Sequence, residues 1–323
     1  MSARRRDFLL SVTLAAAAAT TAVGQTARPT VRPIASAMQS AASIPDFSGR
    51  WAHPYLTGYE PPASGPGPVT NRSRRKDGVG NFGQLVGDYT NPILQPWAAD
   101  VVKKHGEISL AGGGYPTPSN QCWPGGVPYV FWDFLLQMFQ QPDKITMIFR
   151  HGNEVRRVRM NEPHRAHLTP SWYGDSVGHY EGDTLVIDTV GLKIGPFAMV
   201  DMYGTPQSPA LHVVERYRLV DYADAKDAMD RNAKENSRTP GANFDDAYRG
   251  KVLQLHFTVE DESVFTMPWS ATITYRPAVS PRTDLICAEN PRGFLSGKRR
   301  LRSDLKPRVN GGNRLARRPV QPR

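Results

Sequence analysis

The chain has 323 residues, 39% of them hydrophobic, with 28 Gly and 28 Pro. That supports a sizeable core built from short elements and long loops, but no membrane domain. Of the formal charge of +10, residues 1–24 hold +2 and residues 298–323 hold +9, leaving the body at −1. A near-neutral body argues against nucleic acid as a partner.

Residues 1–24 read as an export signal. Arg5-Arg6-Asp7-Phe8-Leu9 resembles a twin-arginine signature, and an apolar Ala-rich run follows it. A general secretory signal is the alternative. The run is too short for a stable transmembrane span, and the expected location is the periplasm. Residues 25–44, rich in Ala, Ser, Thr and Pro, read as a linker.

Order is expected from Pro45. Gly49-x-Trp51 resembles the opening motif of lipocalin-type barrels, in which the Trp closes the barrel floor and Gly permits a sharp turn into the first strand. Residues 52–114 are mostly loop, with a short helix expected over 95–105 that starts at Pro96. Residues 115–128 are turn-rich and carry Cys122, which has one possible partner, Cys287. An even cysteine count in an exported chain favours a disulfide, which the chain-entropy treatment values at up to about 5 kcal/mol for so long a loop.

The β pattern becomes dense after Val130. Residues 145–150 and 154–160 flank His151-Gly152-Asn153 as a hairpin. A second hairpin, 177–180 with 185–190, turns at Glu181-Gly182-Asp183-Thr184. That turn sets Glu181 opposite Thr184, His179 opposite Val186 and Val177 opposite Asp188, and places His179, Glu181 and Asp188 on one face. Strands follow over 211–220, 252–261 and 265–276, with a polar, partly helical insertion at 221–250. At least seven antiparallel strands without alternating helices predict an all-β domain over 45–297, an antiparallel lipocalin- or calycin-like barrel. Residues 298–323 predict a disordered basic tail, able to touch anionic envelope surfaces.

Glu215 is the strongest chemical candidate. It lies mid-row in Leu211, Val213, Glu215, Tyr217 and Leu219, a carboxylate on an apolar strand face. Burial without a partner would tune it for proton transfer; pairing with an Arg of another strand would make it a lock on the barrel. Asp188 supports a similar argument, and His179 with Glu181 supplies a relay. Trp172, Tyr180, Tyr217, His212 and Trp269 are candidate substrate contacts. No phosphate loop, dinucleotide fingerprint, serine elbow or zinc-protease motif occurs, so no cofactor is expected. A metal held by His/Asp/Glu groups around His164, His167 and His179 is the alternative.

Pro45-Asp46-Phe47-Ser48-Gly49-Arg50-Trp51, Tyr180-Glu181-Gly182-Asp183-Thr184-Leu185-Val186, Glu215-Arg216-Tyr217 and Cys287-Ala288-Glu289-Asn290 together resemble a family of uncharacterised exported bacterial proteins. Tyr180 stands where that family usually has Trp, and the 221–250 insertion is longer than usual. The resemblance implies that the central hairpin and both cysteines belong to one shared design, and it implies no activity. The residues themselves lead to an exported barrel doing acid–base chemistry (lyase, isomerase or hydrolase) on a small polar or aromatic molecule in the lumen. A non-catalytic carrier of a small hydrophobic or aromatic ligand is the rival.

Overall fold

The computed structural model describes residues 44–236, 243–280 and Cys287. The expected export signal, most of the linker and the basic tail lie outside the described residues. The nine strands are β1 (Gly49–Ala52), β2 (Leu135–Gln140), β3 (Lys144–Phe149), β4 (Val155–Met160), β5 (Asp175–Glu181), β6 (Thr184–Val190), β7 (His212–Val220), β8 (Val252–Glu260) and β9 (Trp269–Pro277). They close into one barrel in chain order, with β9 paired back to β1. The helices are α1 (Pro96–Leu110), which runs five residues past its expected end, and α2 (Tyr222–Glu235) inside the predicted insertion.

The predicted all-β barrel is present, with one departure from an antiparallel pattern. β4 and β5 pair in parallel, Arg159 with Val177 and Met160 with Gly178, while every other neighbouring pair is antiparallel. Parity forces this. Strands that alternate direction around a closed ring must be even in number, and this ring has nine. Residues 161–174 therefore run back along the barrel, from the far end of β4 to the start of β5. Up-and-down lipocalin barrels have eight strands.

Local chemistry places the turns. Gly152 (φ 69°) and Asn153 (φ 52°) take the left-handed conformation between β3 and β4, and Gly182 (φ 62°) takes it between β5 and β6. The β5–β6 register matches the expected pairing at all three positions named above. At the first strand, Gly49 has φ 140°, and a Cβ there would meet the Trp51 indole at 3.7 Å. Trp51 is buried in the core, with Nε1 donating to the Phe47 carbonyl at 3.0 Å. This is the packed Gly/Trp opening that the sequence suggested.

The barrel interior is solid. Met147, Ile187, Val213, Leu255, Phe257 and Ile273 all have 0% exposure, so no water-sized space adjoins them. Burying each such side chain contributes about 1.5–3 kcal/mol before the entropy of ordering is subtracted. α2 packs outside, against β8 and β9. Its end is tied down by Asn236, whose Oδ1 accepts from the backbone N–H of Thr57 (2.6 Å) and Gly58 (2.9 Å). Among the described residues no helix is long and apolar enough to cross a membrane.

Candidate functional site

Strand alternation sends Glu215 into the interior, as its apolar row predicts. It is not free there. Arg156, on the inward row of β4, donates to both carboxylate oxygens at 2.9 and 2.6 Å, and both side chains are fully buried. Tyr217 Oη donates to Glu215 at 3.0 Å. Arg156 is held in turn by Ser176 (3.1 Å) and Thr189 (2.8 Å). Burial lowers the pKa of Arg156, and the attraction of Glu215 outweighs it, so the net shift is upward. A bidentate, fully hydrogen-bonded ion pair sealed from solvent is a lock, not an acid or base. The expected catalytic role of Glu215 is corrected accordingly. The expected substrate contacts Tyr217 and Trp269 are also core residues, at 0% and 2% exposure.

Asp188 faces the other way. Its strand neighbours Ile187 and Thr189 fill the interior, so alternation turns Asp188 outward, and the expectation of an enclosed Asp188 is overturned. One of its oxygens accepts from Nε2 of both His164 and His212, each at 3.0 Å. His164 Nδ1 meets Asp175 at 3.0 Å, and His212 Nδ1 meets Glu260 at 3.3 Å. The hydrogen bond with His212 holds Asp188 below the usual carboxylate range and raises His212 in return. Asp175 also takes Arg159 and the backbone N–H of Arg165, both at 3.0 Å. This chain straps the returning segment 161–174 to the barrel wall. His179 and Glu181 pair with each other at 3.1 Å on the exposed face, and Arg216 donates to Glu181 at 2.7 Å. Tyr180 is half-buried, and its hydroxyl is buried without a hydrogen-bond partner among the described residues.

A different cluster forms at the barrel end where β2, β4 and β5 begin. Glu154 lies two residues before Arg156, on the same inward row. Burial pushes its carboxyl up to about 7; the Gly125 N–H opposes the shift and nearby Asp133 adds to it. Gly125 N donates to both Glu154 oxygens at 3.1 Å, and Tyr173 Oη donates to one of them. No basic side chain among the described residues pairs with Glu154. Burial likewise raises Asp133 to about 6, although its carboxylate accepts the His151 N–H at 2.6 Å. Burial and Arg150 lower His151, whose ring stands 5.5 Å from that of Trp132.

Glu154, Asp133, His151, Trp123 and Trp132 share a cavity of about 10 Å³, room for one water or hydroxyl. Trp123 is 39% exposed and meets Trp172 and Phe197 edge-on at 5.5 and 5.9 Å. Lys193 Nζ lies 4.9 Å from the Trp172 ring centre. Of the expected substrate contacts, Trp172 alone belongs to this site. The expected disulfide, Cys122–Cys287, is present with Cα atoms 5.3 Å apart, and it tethers the loop that carries Trp123 and Gly125.

Sequence reasoning missed Asp133, His151 and Glu154 because each stands at a strand end or turn, where a polar residue is ordinary. Among the described residues, no group of three His, Cys, Asp or Glu is arranged to hold a metal ion. In comparisons with known proteins, no family model, no curated protein and no solved structure matches the chain.

Proposed function

We propose that this protein is an exported barrel that carries out proton-transfer chemistry at its mouth, with Glu154 as the proton carrier. The substrate is a small polar or aromatic molecule, and the reaction is a hydrolysis, elimination or isomerisation. One observation carries the reading: Glu154 is a half-buried carboxyl whose partners are a neutral N–H and a neutral hydroxyl, and burial there pushes it up to about 7. A proton carrier works best when its pKa is close to the working pH. The small cavity beside Glu154 admits the reacting hydroxyl or a water, and Trp123 and Trp172 offer flat apolar faces to the rest of the substrate. Asp133 supports the raised pKa, and Tyr173 orients the carboxyl. The Arg-Asp-Phe-Leu-type leader and the disulfide support an oxidising compartment outside the cytoplasm.

The test is proton exchange and product formation in deuterium oxide, followed by NMR. The probes are small aromatic esters, hydroxy acids and ketones. Wild type is expected to turn over one class, and Glu154→Gln to slow it by about 10²–10⁴ with the fold intact. Equal rates for the two proteins would dismiss the reading. Because the interior is packed, the lumen expected to hold the substrate gives way to the mouth, and the rival, a non-catalytic binding protein, loses its lumen for the same reason. It gains support from a pocket on the outside of the barrel.

A further inference from the structure

Between α2 and β9 lies a pocket of about 400 Å³, lined by none of the mouth residues and within the size range of small-molecule sites. Its walls are apolar and aromatic: Tyr222, Met229, Phe244, Ala52 and Pro54. Two guanidinium groups are built into it. Arg276 lies over Phe244 at 4.8 Å and over Tyr222 at 5.6 Å, and Nη2 rests 3.7 Å from the Met229 sulfur. Arg249 also lies over Tyr222, at 4.5 Å, and donates to the carbonyls of Asp246 and Tyr248 at 2.7 and 2.9 Å.

The polar groups are underused. Arg276 is 15% exposed, and its one carboxylate partner is the exposed Asp246, at 3.0 Å. A guanidinium carries five N–H donors, and among the described residues those on Arg276 reach Asp246 and the Met229 sulfur alone. Asn232 also lines the pocket. It is 8% exposed. Two cations against one carboxylate leave the pocket one positive charge in excess. Its stacked rings and cations present flat surfaces, which suit a flat partner.

We infer that this pocket binds a small aromatic carboxylate. The carboxylate takes the open donors of Arg276 in place of, or beside, Asp246. The ring lies against Tyr222, Phe244 and Met229, and Asn232 meets a polar edge of the ligand. The site is independent of the proton-transfer reading, because no mouth residue lines it.

The test uses 2-naphthoate as the probe and uncharged 2-naphthamide as its control, with titration calorimetry on the full chain. One naphthoate is expected per chain, bound about tenfold or more tightly than naphthamide, since a hydrogen-bonded charge is lost in the amide. Arg276→Gln should weaken naphthoate by about the same factor. Ala233→Trp, which fills the pocket without removing a charge, should abolish binding. Glu154→Gln should bind naphthoate as wild type does. If Arg276→Gln fails to fold, Ala233→Trp decides. Absence of naphthoate binding at millimolar concentration, equal affinity for naphthamide, or unchanged binding by Ala233→Trp would each overturn the assignment.

Discussion

Glu215 in the barrel interior and Glu154 at the barrel mouth are the same residue type in opposite situations. Both are drawn inward by strand alternation, and Arg156 pairs with one of them only. Arg156 is two residues from Glu154 on one strand face, yet its guanidinium reaches Glu215 with two hydrogen bonds. Glu154 is left with Gly125 N and Tyr173 Oη. Burial alone therefore does not create an acid–base group. A sealed carboxylate given a full cationic partner becomes structure, whereas a half-open one given neutral donors keeps a proton near neutral pH.

The largest expected effect comes from breaking the lock. Arg156→Met or Glu215→Gln alone should cost about 3–5 kcal/mol in denaturant unfolding, because each strands a polar or charged partner in the core. The double variant Arg156→Met with Glu215→Leu should recover most of that loss. If the single variants cost under about 1 kcal/mol, the interior pair is not the lock described.

Next in size is the tether at the mouth. Replacing both Cys122 and Cys287 with Ser should lower stability by about 2–5 kcal/mol. It should also loosen the loop that supplies Gly125 to Glu154. Unfolding curves and the protection of the Gly125 amide from exchange measure both consequences.

A smaller effect, with a definite sign, appears in pH dependence. Glu154 and Asp133 have folded pKa values raised to about 7 and about 6. Their contribution to stability is complete below the ordinary carboxyl pKa, and is lost as pH rises through the raised values. The slope is at most about 1.4 kcal/mol per pH unit for each group, and less for the half-buried Glu154. His212 is also raised, by Asp188, so its contribution falls in an overlapping window as pH rises. The difference between wild type and Glu154→Gln isolates the mouth: it should change sign-consistently between about pH 4.5 and 7, and a flat difference would contradict the account. At the smallest end, His179→Ala and Glu181→Ala on the exposed hairpin face should each leave the denaturant midpoint of unfolding unchanged.

The sequence made some of this legible and concealed the rest for physical reasons. Gly182-Asp183 fixed the turn, so the β5–β6 register and the shared face of His179, Glu181 and Asp188 followed from a period of two, whereas the outward direction of that face did not. The apolar row around Glu215 located it in the core. Its partner was not readable, because Arg156 comes from a strand 59 residues earlier and nothing local marks it. The parallel β4–β5 pair was hidden as well, since it depends on the parity of the complete ring and the strand Leu135–Gln140 had not been distinguished. The mouth cluster is purely tertiary. Asp133, His151 and Glu154 meet when β2, β3 and β4 pair, and Tyr173 joins them only when the segment 161–174 returns.

The account turns on the proton held at Glu154. Carbon-13 labelling of glutamate side chains, followed by NMR titration with Glu154→Gln to assign the resonance, reads that proton directly. A carboxyl midpoint near 7 is the expected result. A midpoint at or below about 4.5, the range of an ordinary solvated glutamate, would contradict it.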